Sequence, residues 1–76
     1  MKLKNMYKHL HKAFPDNKIY ERHMFRGAEG LGRIDNLLPI SPYVLSRYDE
    51  YPVVRLDCEE NINGEKVYYI VISIID

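Results

Sequence analysis

Seventy-six residues carry 11 basic and 11 acidic side chains, and 46% of them are hydrophobic. Such a chain has material for one core, so a single domain over residues 1–76 is expected, and its patterned apolar content argues against disorder. A net charge of zero weighs against a strongly basic nucleic-acid binder, and one cysteine, Cys58, excludes an internal disulfide.

Residues 2–14 have the spacing of a helix. Leu3, Met6, Tyr7, Leu10, Ala13 and Phe14 recur on one face, and Lys2, Lys4, Lys8 and Lys12 stay on the other. Pro15 stops the helix because it pushes the preceding residue out of helical angles. Asp16-Asn17 reads as a turn. Residues 18–25 read as a strand with poor alternation.

The stretch FRGAEGLGRID, residues 25–35, holds Gly27, Gly30 and Gly32 between Arg26 and Arg33. Its order is G-x-x-G-x-G, which is neither a dinucleotide fingerprint nor a P-loop. No helix has room to open after it and aim amides at a phosphate. Its reading is a flexible connection with two exposed arginines, and no cofactor is expected.

Pro39 and Pro42 make residues 37–42 irregular. Ser41-Pro42 is a helix-start signal, so a short helical turn is expected over about 42–48. Tyr43, Arg47, Tyr48 and Tyr51 gather in and after it. Tyrosine and arginine are enriched at interface hot spots.

Residues 52–60 alternate and 65–75 are rich in Val, Ile and Tyr, with Asn63-Gly64 between them. That dipeptide predicts a two-residue hairpin turn in which both positions take positive φ. The implied register sets Cys58 opposite Tyr69, Leu56 opposite Val71 and Val54 opposite Ser73, and seats the helix on that face. Cys58 then reads as a small buried hydrophobe. The last strand is apolar on both sides, which places it centrally in a sheet. Segment 37–51 or a second copy of the chain is expected to cover its other face. The fold class is therefore α+β: an N-terminal helix on a small, mostly antiparallel sheet of about three strands ending in a β-hairpin.

Charge is uneven along the chain. Residues 1–34 carry eight basic side chains against three acids, a net of +5, and residues 35–76 carry three against eight, a net of −5. The plain reading is mutual neutralisation on folding. His9 and His11 are two apart, the wrong spacing for a shared metal on a helix, and the three histidines read as surface residues. The acids at 49–50 and 57–65 read as a solvated face.

No known family motif is legible in these residues, and no catalytic set stands out. The favoured function is a small non-catalytic protein that binds a protein partner as an adaptor, regulator or inhibitor. Chains of this kind include those of phages and mobile elements. The residues expected to meet the partner are Arg26, Arg33, Tyr43, Arg47, Tyr48 and Tyr51. A homodimer through the C-terminal strand is also expected. The alternative is nucleic-acid binding through Lys4, Lys8, Lys12, Arg22, Arg26 and Arg33. A third option is a small nuclease using His23 with Arg22 or Arg26. No apolar run follows the N-terminal lysines and residues 67–75 are too few to cross a bilayer as a helix, so a cytoplasmic chain without a membrane segment is expected.

Overall fold

The computed structural model describes residues 1–27 and 30–73, and their side chains except those of Arg26 and Leu31. Helix α1 spans Leu3–Ala13, and four strands follow: β1 Lys18–Gly27, β2 Gly30–Leu38, β3 Val53–Glu60 and β4 Lys66–Ser73. The sheet order is β2-β1-β4-β3. β1 pairs antiparallel with β2 and parallel with β4, and β3 pairs antiparallel with β4. This is an α+β arrangement with a mixed sheet of four strands rather than about three. The additional strand is β2, formed by the glycine-bearing stretch that reads as a connection.

The apolar ridge of α1 lies on β1 and β4. Leu3 and Leu10 join Ile19, Leu38, Tyr68, Ile70 and Ile72 in one buried cluster. Residues opposite each other in a ladder share a face, so Ile19, Glu21 and His23 stand with Tyr68, Ile70 and Ile72 on the helix side. Tyr20, Arg22 and Met24 stand with Tyr69, Val71 and Ser73 on the other side. β4 is central, as its two apolar faces require.

Every early amide of α1 finds a carbonyl. Leu3 N–H donates to the Tyr51 carbonyl at 2.9 Å and Lys4 N–H to the Asp49 carbonyl at 3.0 Å; Asn5 and Met6 both donate to the Lys2 carbonyl. Lys2 makes no side-chain cap, and the first turn has no acid. The segment before β3 therefore does the capping that a local Ser or Asp usually does. The short ladder continues through Lys2 opposite Pro52 and the Val53 N–H donating to the Met1 carbonyl.

The hairpin register differs from expectation by one residue. Cys58 lies opposite Tyr68 and Leu56 opposite Ile70, while Asp57 faces Tyr69. Asn61 sets this register. Its backbone carbonyl accepts from Gly64 N–H, its N–H donates to the Glu65 carbonyl, and its Oδ1 accepts from the amides of Asn63 and Glu65. The loop thus has three residues, 62–64, with positive φ at Gly64 only. A slip of one residue exchanges the faces of a strand, so Leu56 and Cys58 share a side with Ile70 and Tyr68 instead of Val71 and Tyr69, and the helix sits on Tyr68, Ile70 and Ile72 rather than on Tyr69 and Val71.

Two more expectations are corrected. No helix forms over 42–48. Ser41 Oγ accepts from the amides of Tyr43 and Val44, and Ser41 N–H donates to the Val44 carbonyl, which closes a tight turn in place of a helix start. Segment 39–51 also runs on the helix side, where Leu45 and Tyr48 pack on the core. It does not cover the opposite sheet face. Residues Ile74 and Ile75, part of the apolar C-terminal run, lie outside the described residues, as do Ala28 and Glu29.

Candidate functional site

The sheet face away from α1 carries a charge cluster built on Arg22. Arg22 is 3% exposed. Its Nε and Nη2 donate to the two Asp35 carboxylate oxygens at 2.8 and 3.2 Å, and Nη1 donates to Asp57 at 3.4 Å. Glu59 lies 3.7 Å from Nη2. The register places these groups together, since Arg22 is opposite Asp35 on β2 and one strand beyond Val71 from β3. Hydrogen bonding to Asp35 holds the Arg22 guanidinium above its ordinary value against the opposing effect of burial. Burial pushes the Tyr69 hydroxyl up, and the Glu59 carboxylate adds to that shift.

These ion pairs join the basic and acidic halves of the chain, as do those of Glu50. Glu50 receives hydrogen bonds from both Lys2 and Lys4. The two bonds, that of Lys2 first, pull its carboxyl down to about 2. An acid placed there also relieves the unfavourable meeting of two lysines with the positive end of the helix dipole.

The helix side of β1 buries a second polar group. Glu21 is 1% exposed and His23 is 5% exposed. Glu21 Oε1 accepts from Asn36 Nδ2 at 3.3 Å. His23 Nε2 lies 3.1 Å from the same oxygen but off its hydrogen-bonding direction, so Nε2 and Glu21 Oε2 have no hydrogen-bond partner. Tyr48 closes over His23 edge-on, with ring centroids 4.4 Å apart, and meets Tyr51 at 5.1 Å. His23 is thus a core residue, not a surface one. His9 and His11 are exposed. Among the described residues no group of three or more His, Cys, Asp or Glu side chains is placed to hold a metal ion.

Arg22 and His23, the pair weighed for nuclease chemistry, project from opposite faces of β1. The nitrogens of Arg22 are taken up by carboxylates. Cys58 is exposed rather than buried, because β3 is an edge strand and α1 packs over β1 and β4.

The expected partner-binding residues divide into separate groups. Arg26 lies near the end of β1, and its side chain is outside the described ones. Arg33 is exposed on β2, on the sheet face away from α1. Arg47 stands over the Tyr48 ring at 5.5 Å, and Tyr48 with Tyr51 forms the aromatic group against His23. Tyr43 is 95% exposed, alone among the three tyrosines in standing clear of the core.

Around Tyr43 the structure assembles a surface that residue type alone did not single out. Ile40 and Val44 flank it, each more than half exposed. The turn that carries them faces Tyr7, Lys8 and His11 of α1 across a shallow groove. Its backbone is held by the Ser41 bonds and by Ile40 N–H donating to the Leu45 carbonyl. The available signal was the apolar pair Ile40 and Val44 lying between and after two prolines, where a solvated loop would have been polar.

No protein-family model matches the chain, and neither the curated proteins nor the solved structures hold a significant match to it. Among the described residues no helix is long and apolar enough to cross a membrane.

Proposed function

We propose that this chain is a non-catalytic protein that acts by binding a protein partner, and that the turn at 39–45 with the adjoining face of α1 is where the partner sits. One observation carries this reading: Tyr43 is almost fully exposed between exposed Ile40 and Val44 on a turn locked by its own hydrogen bonds. A preordered apolar projection loses little entropy on binding, which is what a hot spot needs. The opposite orientation of Arg22 and His23 fits a binding role better than acid–base chemistry.

Strand pairing between two copies would not use the C-terminal strand, both of whose edges are taken within the sheet. β4 is flanked by β1 and β3, so a second copy would meet a sheet face or the edges at β2 and β3.

The test is recovery of partners from a native lysate with tagged wild-type chain and with Tyr43→Ala. A partner recovered by the wild type and lost with Tyr43→Ala is the expected result. Equal recovery by both would remove the turn from the interface.

A further inference from the structure

We infer that the groove between α1 and the 39–45 turn takes an acidic segment of another protein, seating an apolar side chain on Tyr7, Tyr43 and Val44 and pairing carboxylates with Lys8 and Lys12. This rests on the protein-binding reading above and gives it a partner chemistry.

The argument is one of charge left over. Lys4, Lys8 and Lys12 form a single ridge of α1, spaced one turn apart. Glu50 neutralises the N-terminal end of that ridge through Lys2 and Lys4. Asp35, Asp57 and Glu59 are drawn to Arg22 on the far side of the sheet. Among the described residues Lys8 and Lys12 have no ion pair. Lys8 and His11 line the groove and no acid does; Lys12 stands outside it, one helical turn beyond Lys8, where a segment running out of the groove along α1 reaches it. The floor beside them is apolar and aromatic, from Tyr7, Pro39, Tyr43 and Val44. An apolar floor with an uncompensated cationic rim is complementary to an apolar anchor flanked by carboxylates.

A nucleic acid fits this surface less well. Of the other described cations in the basic half, Lys2 and Lys4 are engaged by Glu50, Arg22 is buried among acids, and Lys18 and Arg33 are on the opposite sheet face. Two lysines and a histidine form a short footprint for a polyphosphate, whose affinity grows with each phosphate neutralised. They suffice for a peptide with two or three carboxylates.

The test begins with a library of short random peptides displayed on phage and selected on the full chain. The expected peptides carry Asp or Glu on either side of Leu, Ile or Phe. A fluorescent synthetic copy of one should lose about tenfold or more in affinity on Tyr43→Ala and on the double change Lys8→Glu/Lys12→Glu. Selection on that double variant should enrich basic peptides instead. Both variants alter exposed side chains, and an unchanged urea midpoint confirms that each folds. Neutral or basic peptides whose binding still depends on Tyr43 would overturn the acidic partner and leave the protein-binding surface standing. Peptides indifferent to Tyr43, or no enrichment, would overturn both. A labelled oligothymidylate bound at about 50 mM salt and released by Lys8→Glu/Lys12→Glu would overturn the proposal in favour of a nucleic acid.

Discussion

The Arg22 guanidinium carbon sits 3.9 Å from the centroid of the Tyr69 ring. Tyr69 in turn stacks on Tyr20 across the parallel pair of strands, with centroids 5.4 Å apart. A buried cation is thus held by carboxylates at its nitrogens and by an aromatic face on its carbon. Arg22→Met keeps much of the aliphatic contact and removes the charge, leaving Asp35, Asp57 and Glu59 close together without their shared partner. The expected cost is about 3 kcal/mol, the lower end for breaking a buried ion pair because Asp35 and Asp57 keep some solvent. Urea unfolding at neutral pH measures it. Arg22→Lys should also destabilise, since an ammonium cannot make the paired bonds to Asp35. A midpoint unchanged in Arg22→Met would show that the cluster adds nothing to stability.

Phe25 lies across the ladder from Gly32 and covers it. A Cβ at position 32 would fall 2.7 Å from Phe25 Cζ, so the ring must move to admit one. Gly32→Ala should therefore cost about 1–2 kcal/mol by overpacking. In a Phe25→Leu background most of that cost should vanish. Thermal or urea melts of the four chains give the coupling, and additive effects would contradict the contact.

Tyr43 and Tyr48 should separate cleanly. Tyr48→Ala removes a half-buried ring from His23, Tyr51 and the core, and should destabilise by about 2 kcal/mol, below the range for a fully buried aromatic. Tyr43→Ala should fall within about 0.5 kcal/mol of wild type, as exposed positions do. Equal stability of the two variants would return Tyr48 to the surface.

Glu21 and His23 bury polar atoms beside each other with few partners. Replacing either alone by an apolar residue should destabilise, by about 1–3 kcal/mol, because the other keeps its desolvation cost and loses its neighbour. Glu21→Met with His23→Leu should cost less than the sum of the two. Chemical denaturation of all four chains reads the coupling directly.

Acid should act through Glu50. Its folded carboxyl titrates at about 2, below the value of 4.5 that an unperturbed glutamate has. A depressed carboxyl stabilises the fold fully above the unfolded value and loses that contribution as pH falls toward the folded one. The stability difference between wild type and Glu50→Gln should therefore be constant near neutrality and shrink between about pH 4.5 and pH 2. High salt should reduce it throughout, because Lys2 and Glu50 are exposed and Lys4 is half-exposed. A carboxyl resonance of Glu50 titrating near 4.5 would rule out the bridge to Lys2 and Lys4.

What the sequence determined by itself was local. The ridge Leu3, Met6, Tyr7, Leu10 specified α1 because a helical period needs no knowledge of its partner. The apolar run of β4 specified a central strand, and Asn63-Gly64 located the hairpin. The tertiary structure decided everything that depended on distant residues. Register turned on how Asn61 folds its own side chain into the loop, which set Leu56 and Cys58 beside Ile70 and Tyr68 and brought Asp57 to the face of Arg22. The burial of Glu21, Arg22 and His23 was hidden because polar side chains read as exposed until Asn36, Asp35 and Tyr48 are brought to them from other elements. The exposure of Cys58 was hidden for the converse reason: its strand alternates like a half-buried one, but β3 is an edge that the single helix leaves uncovered. A residue's periodicity belongs to its own segment, while its burial belongs to whatever packs on it, and only the folded chain supplies that.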